Sequence, residues 1–202
     1  MTPPPTPADP PVRTAKLVVT GPFGAGKSTL LSTLVGTEPL CTEHLVSRGL
    51  GSLPGWTTVA IESARLAVAD DLALALYATP GQDRFGFLWE VVADRLLGYV
   101  LLIDVTRPDT LPAARHVRDH FESHVRVPST VALNRVPGDP APIERRVRAE
   151  LELPSEVPLM AVDVRDRDDA KRLVRSVLVQ ALESQRDAAV WAAAQSRVGD
   201  AG

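Results

Sequence analysis

The sequence predicts a three-layer α/β fold: a mostly parallel, six-stranded sheet with one antiparallel edge strand, covered by helices on both faces. Two observations lead to this prediction. Short apolar runs alternate with segments of helical periodicity along most of the chain, which is typical of parallel strands joined by crossover helices. In addition, the first strand runs into a glycine-rich turn and then a helix, so a ligand site is expected at the carboxyl ends of the strands.

The glycine-rich turn has the pattern G-x-x-x-x-G-K-[ST], with Gly21, Gly26, Lys27 and Ser28 at its fixed positions. Backbone N–H groups in such a turn point at phosphate oxygens, and the dipole of the following helix favours negative charge. Lys27 is expected to reach the β- and γ-phosphates, and Ser28 to hold Mg²⁺. The predicted phosphate-binding residues of this turn are Gly21, Phe23, Gly24, Ala25, Gly26, Lys27, Ser28 and Thr29.

The composition predicts one domain with two tails in a chain of 202 residues. Residues 1–14 hold six prolines and predict a disordered tail, residues 15–185 form the domain, and residues 186–202 form a helical extension or tail. The net charge of −3 gives no sign of a nucleic-acid partner. The single cysteine, Cys41, excludes an internal disulfide and favours the cytoplasm. Because no apolar run has membrane-spanning length, we expect no direct membrane anchor, and recruitment to a membrane would need partners.

Beyond the first helix, strands and helices continue to alternate. Residues 37–56 hold glycines and prolines with weak periodicity and predict a long irregular loop. Residues 59–68 and 72–77 are apolar runs on either side of a two-aspartate turn, a pattern typical of a hairpin that supplies the antiparallel edge strand. Further strands are predicted at 98–105, 129–133 and 157–162, and helices at 86–97, 109–124, 142–151 and from 168 to about 194.

Three motifs in this order resemble those of Ras-superfamily small GTPases: the phosphate loop, a threonine before an edge strand, and the segment TPGQDRF at 79–85. The Pro-Gly-Gln form is similar to bacterial small GTPases of the MglA-like branch. Within that branch, the segments GPFGAGKST, TTVAIE and TPGQDRF look closest to the GTPases encoded in actinobacterial conservon operons. The resemblance covers about residues 15–183. It implies a P-loop NTPase fold of the small G-protein type and a GTP/GDP-binding switch with slow GTP hydrolysis.

The resemblance also assigns roles to individual residues. Thr58, with Thr57 as the alternative register, is expected to close on Mg²⁺ and the γ-phosphate in the GTP state. Gly81 is expected to donate its N–H to the γ-phosphate, and Gln82 to orient the attacking water. Arg48 is a candidate catalytic arginine. The implied sets are Gln82, Thr58 and Arg48 for catalysis, Ser28 and Thr58 for the metal, Gly81 for phosphate, and Asn134, Arg135, Asp163 and Val164 for the base.

Several positions depart from the family's pattern. Ala78 stands where an aspartate holds a Mg²⁺-bound water, so we expect weaker Mg²⁺ dependence or help from another group, with Asp104 as a nearby candidate or a structural residue. Phe23 stands where Ras has glycine and predicts slow hydrolysis, because its ring crowds the attacking water. Pro137 replaces the aspartate that recognises guanine, and Asp139 is a substitute if the loop shifts.

The other base-contacting positions match in part. Asn134 fits the first position of the guanine motif, and the stem of Arg135 can cover the base as a lysine does. Asp163-Val164-Arg165 stands at the last base-contacting loop, where the N–H of Val164 would serve guanine O6. Guanine preference is therefore implied by the resemblance alone.

Two other functions stay open on the sequence. One is a P-loop small-molecule kinase, for which the arginine cluster within 145–148 would form the lid over the phosphates. The other is a degenerate nucleotide-binding scaffold, which Ala78, Phe23 and Pro137 favour. If the protein is a GTP/GDP-binding switch, the resemblance implies that it binds a roadblock-type (MglB-like) partner and belongs to a histidine-kinase-like signalling complex.

Overall fold

A computed structural model describes residues 13–48, 55–79, 96–107 and 109–199. Within these ranges the chain forms seven strands and four helices. No helix in the described ranges combines the length and apolar character needed to cross a membrane. In chain order the elements are β1 (Arg13–Thr20), α1 (Lys27–Val35), β2 (Leu40–Arg48), β3 (Gly55–Ala69), β4 (Leu72–Ala78), β5 (Leu96–Asp104), α2 (Thr110–His124), β6 (Ser129–Asn134), α3 (Ala141–Glu150), β7 (Leu159–Val162) and α4 (Arg167–Gly199).

All seven strands belong to one sheet, in the order β2-β3-β4-β1-β5-β6-β7. Strand β1 lies between β4 and β5 and is parallel to both, and β6 and β7 continue the parallel set. Strand β3 runs antiparallel to β4, and β2 runs antiparallel to β3. The carboxyl ends of β1, β4, β5, β6 and β7 therefore meet at one edge, where the loops that follow them converge.

The mostly parallel α/β sheet is confirmed, but the predicted number of strands is wrong. The additional strand is β2, which lies in the stretch 37–56 that the sequence predicts to be an irregular loop. Its nine residues pair along β3, so the antiparallel strand β3 is internal and β2 forms the edge. The reason is non-local: β3 is 15 residues long, and an exposed strand edge offers backbone donors and acceptors to any segment that can pair with it.

Smaller differences concern the ends of elements. Strand β1 begins at Arg13, inside the segment predicted as the tail, and the Arg13 guanidinium donates to Asp71 at 2.8 Å. Leu96 and Leu97, predicted to end a helix, belong to β5; the remainder of that helix lies outside the described residues. The C-terminal helix continues to Gly199.

Helices cover both faces of the sheet. On one face, Leu31 and Leu34 of α1 pack in a buried cluster with Leu173 of α4. On the other face, Phe121 of α2 and Val147 of α3 pack in a second buried cluster. This arrangement is compatible with a three-layer α/β fold, and it places the loop after β1 next to the loops that follow β5, β6 and β7.

Candidate functional site

The loop between β1 and α1 is held by three glycines in the left-handed region. Gly21, Gly24 and Gly26 have φ angles of 138°, 79° and 107°. A Cβ at Gly21 would lie 2.1 Å from the carbonyl oxygen of Leu102, and a Cβ at Gly26 would lie 2.8 Å from Nδ2 of Asn134. Gly21 and Gly26 therefore satisfy both the backbone angles and the close packing of this loop.

Lys27, the first residue of α1, folds back over the loop. Its Nζ donates to the carbonyl oxygens of Gly21 and Pro22, each at 2.8 Å. Burial lowers the pKa of Lys27 to about 8, and the negative charge of Glu62 opposes that shift. A buried ammonium with carbonyl partners is stabilised further by an anion, so this end of the loop favours a negatively charged ligand.

The first turn of α1 adds donors to the same place. Gly26 caps the helix without a side-chain hydrogen bond, and the turn carries no acidic residue. Ser28 and Thr29 are exposed there. The first N–H groups of a helix have no partner within the helix and carry partial positive charge. Together with Lys27 and the glycines, they form a cradle suited to phosphate.

A cavity of about 420 Å³ lies beside this cradle, at the carboxyl ends of β6 and β7. Asn134, at the end of β6, lines the cavity and joins it to the loop: its Nδ2 donates to the carbonyl oxygen of Ala25 at 2.9 Å, and its Oδ1 accepts from the N–H of Arg135 at 3.0 Å. Asn134 therefore makes the loop and the cavity direct neighbours.

Arg135 connects this cavity to the centre of the sheet. Its backbone lies in the left-handed region, with φ of 60°, and its guanidinium forms an ion pair with Asp104 and donates to the carbonyl oxygen of Gly24 at 3.3 Å. The Asp104 carboxylate is 1% exposed and also accepts from the N–H and Oγ1 of Thr106, at 3.0 and 2.6 Å. Burial acts to raise the pKa of Asp104, but the hydrogen bonds from Thr106 and Arg135 outweigh it and lower the pKa. Asp104 is thus an anchor for Arg135.

The loop after β7 forms the far wall of the cavity. Both carboxylate oxygens of Asp163 accept from the Arg165 guanidinium, at 2.9 and 2.7 Å, and hydrogen bonds from Arg165 hold the pKa of Asp163 at about 2. The N–H of Asp163 donates to Asp169 at 2.8 Å. Val164 is buried and packs near Gly26. Asp139 accepts from the N–H of Ala141 at 3.1 Å, at the start of α3.

Phe23 is exposed in the loop, with 70% of its surface accessible. Its carbonyl oxygen accepts from Nη1 of Arg107 at 3.2 Å, and Arg107 also pairs with Asp109 at 2.9 Å. Arg107 was not predicted from the sequence, because nothing in its local pattern distinguishes it from an ordinary surface arginine after a strand. It ties the segment that follows β5 to the phosphate loop.

The predicted switch residues are described only in part. Gly81 and Gln82 lie outside the described residues. Thr58 is opposite Leu45 in the β2–β3 ladder, and Arg48 ends β2 opposite Gly55. The structure therefore corrects one expectation: the threonine does not precede the strand but lies within β3, which begins at Gly55.

Glu62 is a second residue that sequence reasoning missed. It lies on β3 directly opposite Ala78 of β4, and its Oε2 is buried without a hydrogen-bond partner among the described residues. Glu62 also contributes to the electrostatic environment of Lys27. The only signal in the sequence is an acidic residue in a run that is otherwise suited to a strand.

Neither a comparison with models of protein families nor a comparison with curated proteins gives a match for this chain.

Proposed function

We propose that this protein is a guanine-nucleotide-binding molecular switch with slow GTP hydrolysis. The observation that carries the proposal is the junction at Asn134, whose amide contacts the phosphate loop at Ala25 while its side chain lines the neighbouring cavity. A nucleotide carries phosphates and a base on one molecule, so we propose that its phosphates bind at the loop and its base in the cavity. The glycine cradle, Lys27 and the start of α1 support the phosphate half of the proposal.

The cavity of about 420 Å³ is the proposed binding site for the base of the nucleotide. The Arg135 stem and Asn134 supply one wall, and the loop that carries Asp163 and Val164 supplies the other. Guanine is proposed over adenine because of the motif resemblance, with the N–H of Val164 as the donor to guanine O6. Asp139 is a poor substitute for the missing aspartate at Pro137, because Gly138 and Pro140 on either side of it line the cavity and Asp139 does not. One of its carboxylate oxygens accepts from the N–H of Ala141 instead.

A magnesium ion fits the phosphate end of the site. Ser28 is exposed in the first turn of α1, next to Lys27, and its hydroxyl is the hard oxygen ligand that Mg²⁺ prefers. Mg²⁺, when bound with the nucleotide, neutralises phosphate charge. Thr58 is the second proposed protein ligand, from the resemblance.

The proposal assigns hydrolysis to Gln82 and Thr58, with Arg48 as the candidate catalytic arginine. Slow turnover is expected because Phe23 occupies a loop position where Ras has glycine. Its exposed ring also offers a contact for a partner, since aromatic residues are frequent interface anchors. We propose a roadblock-type partner at this face and a role in a histidine-kinase-like signalling complex.

Two of the three arginines of the predicted kinase lid have partners within the protein. The lid would need free arginines at 145–148, but Arg146 pairs with Glu150 at 2.6 Å, and Arg148 donates to the carbonyl oxygens of Pro154 and Val157 at 2.7 and 3.0 Å. These two arginines hold α3 and the segment that follows it.

A competition titration tests the proposal. The nucleotide-free protein is titrated with a fluorescent GDP analogue, which is then displaced by GDP, GTP or ATP, with Mg²⁺ and with EDTA. We expect GDP and GTP to displace the analogue and ATP to be weaker by about 100-fold or more, as polar recognition of a base allows. Equal displacement by ATP would contradict guanine specificity, and no binding of the analogue would favour the scaffold alternative.

Two lysine variants provide the matched pair. Lys27→Ala removes the cation of the cradle and should abolish binding while leaving the fold intact, whereas Lys171→Ala removes a lysine from α4 and should bind like the wild type. Micromolar affinity retained in Lys27→Ala would remove the central element of the proposal.

A further inference from the structure

Glu62 faces the same side of the sheet as the phosphate loop. Alternate residues of a strand point to one face, so Glu62 shares its face with Ala64 and Leu66. Both of these side chains pack against the buried cluster that contains Leu31 and Leu34 of α1. Helix α1 begins at the phosphate loop, and Glu62 lies on this face at the end of the sheet that is nearer the loop. This position agrees with its electrostatic effect on Lys27.

Glu62 also stands beside the position that lacks a carboxylate. In the β3–β4 ladder it is the direct partner of Ala78, and side chains at directly opposite positions lie close together on one face of the sheet. Ala78 is buried and carries no oxygen that could hold a metal-bound water. The neighbouring strand therefore provides a carboxylate at the place where β4 provides none.

One oxygen of the Glu62 carboxylate lacks a donor among the residues that the structure describes. Its Oε2 is buried without a hydrogen-bond partner among the described residues, while Lys27 donates to the carbonyl oxygens of Gly21 and Pro22. A buried carboxylate oxygen without a donor is costly, and native structures keep such groups mainly where a ligand or ion completes them. The missing partner at this position is a positive charge or a donor.

We propose that Glu62 supplies the carboxylate of the magnesium site, accepting a hydrogen bond from a Mg²⁺-bound water in place of the residue at Ala78. This inference rests on the proposed nucleotide binding. It agrees with the ordinary chemistry of Mg²⁺, which keeps several of its waters and is bound through one or two carboxylates together with the phosphates of the nucleotide. Glu62 is then a positioning residue for the ion, while Ser28 is the direct ligand.

The test compares wild type with Glu62→Gln, which keeps the shape of the side chain and removes its charge. The release rate of a fluorescent GDP analogue is measured as a function of free Mg²⁺. In the wild type Mg²⁺ should slow release, and in Glu62→Gln the Mg²⁺ concentration for half of this effect should rise about 10-fold or more, as for other residues that hold metal-bound groups. Glu183→Gln, an exposed position on α4, is the matched control and should behave as wild type.

The proposal predicts that Glu62→Gln changes the affinity for GDP in opposite directions without and with Mg²⁺. In EDTA, Glu62→Gln should bind GDP at least as tightly as wild type, because a negative charge near the phosphates has been removed. With Mg²⁺ it should bind more weakly. An unchanged Mg²⁺ dependence would overturn the inference, and so would equally weakened binding in Mg²⁺ and EDTA, since a purely structural residue acts in both.

Two further measurements guard against a folding defect. Without nucleotide, Glu62→Gln should be at least as stable to urea as wild type, because it removes the charge of a carboxylate whose Oε2 is buried without a donor among the described residues; a marked loss of stability would assign Glu62 a structural role and overturn the inference. The double variant Glu62→Ala/Ala78→Asp moves the carboxylate to the opposite strand and should restore the Mg²⁺ dependence.

If wild type fails to bind GDP at all, the proposed function fails. If it binds GDP with Mg²⁺ dependence and Glu62→Gln is unaltered, only this inference fails.

Discussion

The loop between β1 and α1, our proposed phosphate loop, and the cavity at the ends of β6 and β7, our proposed base cavity, lie at the same edge of one sheet. They are held in shape by different means. The phosphate loop is fixed by backbone conformation, with Gly21, Gly24 and Gly26 in the left-handed region. The base cavity is fixed by side chains: the ion pair of Arg135 with Asp104 and the pair of Arg165 with Asp163 hold its two walls.

The two regions also differ in whether their charged side chains have partners of opposite charge. Each carboxylate of those two pairs has an arginine partner. At the phosphate loop, the partners of Lys27 are neutral carbonyls, and Oε2 of Glu62 has none among the described residues. A phosphate with its metal ion brings the charges that this end lacks, whereas a neutral base brings none. The comparison therefore predicts that loop substitutions act through backbone strain and ligand charge, and cavity substitutions through ion pairs.

The largest effect is expected from Gly21→Ala. The new Cβ would lie 2.1 Å from the Leu102 carbonyl oxygen at a φ of 138°, so both the sheet and the loop must shift. We expect a loss of about 3 kcal/mol or more in the free energy of unfolding, together with loss of nucleotide binding. Urea unfolding and the GDP titration measure the two effects.

Gly36→Ala is the matched control for that substitution. Gly36 also has a positive φ, of 75°, but a Cβ there meets nothing within 4 Å. Only the backbone cost of about 1 kcal/mol should remain, with nucleotide binding intact. Equal destabilisation by the two substitutions would mean that close packing does not determine the loop.

An intermediate effect is expected from Arg135→Ala. It leaves Asp104 buried with Thr106 as its remaining hydrogen-bond donor, so we expect a loss of about 2 kcal/mol in the free energy of unfolding near pH 7. The pKa of Asp104 is lowered in the folded state, so its contribution to stability is present at neutral pH and is lost as the pH falls below the ordinary value of 3.8. The variant should therefore lose less stability than wild type on acidification. Arg165→Ala, which removes an exposed pair, should cost clearly less than Arg135→Ala, and a loss as large as that of Arg135→Ala would contradict the distinction.

The same contrast explains how far the sequence could predict this molecule. The positions of the glycine-rich loop after β1 and of Asn134 after β6 were predictable, because each lies at the end of an apolar strand in a fixed local pattern. Strand β2 was not, because its partner β3 determines it. Glu62 was missed for a related reason: the β3–β4 ladder shifts register between Ala67 and Ala69, and this bulge puts Glu62, rather than Ser63, opposite Ala78. A shift of one residue exchanges the two faces of a strand, and local periodicity cannot specify it.

The pH dependence of stability provides a further test of the phosphate loop. Burial lowers the pKa of Lys27 from 10.5 to about 8, so between these values the unfolded chain binds more protons than the folded one. This group therefore makes the nucleotide-free protein more stable as the pH rises from about 8 to about 10.5, by at most about 1.4 kcal/mol per pH unit. The difference in unfolding free energy between wild type and Lys27→Ala, measured across this range, isolates the effect. Parallel pH profiles for the two proteins would show that Lys27 titrates normally.

The smallest effect is expected from Asp163→Asn. The Asp163 carboxylate is partly exposed, and both of its oxygens already accept from Arg165, so the change should alter the free energy of unfolding by less than about 1 kcal/mol. The informative measurement is the ratio of the affinities for GDP and for inosine diphosphate, which lacks the 2-amino group of guanine. A carboxylate that accepts from that group would give a strong preference for GDP. Both oxygens of Asp163 are paired with Arg165, and Pro137 offers no side-chain acceptor. The ratio of the two affinities should therefore stay within about threefold of one in both proteins. A wild-type preference for GDP that disappears in Asp163→Asn would instead show that Asp163 recognises guanine.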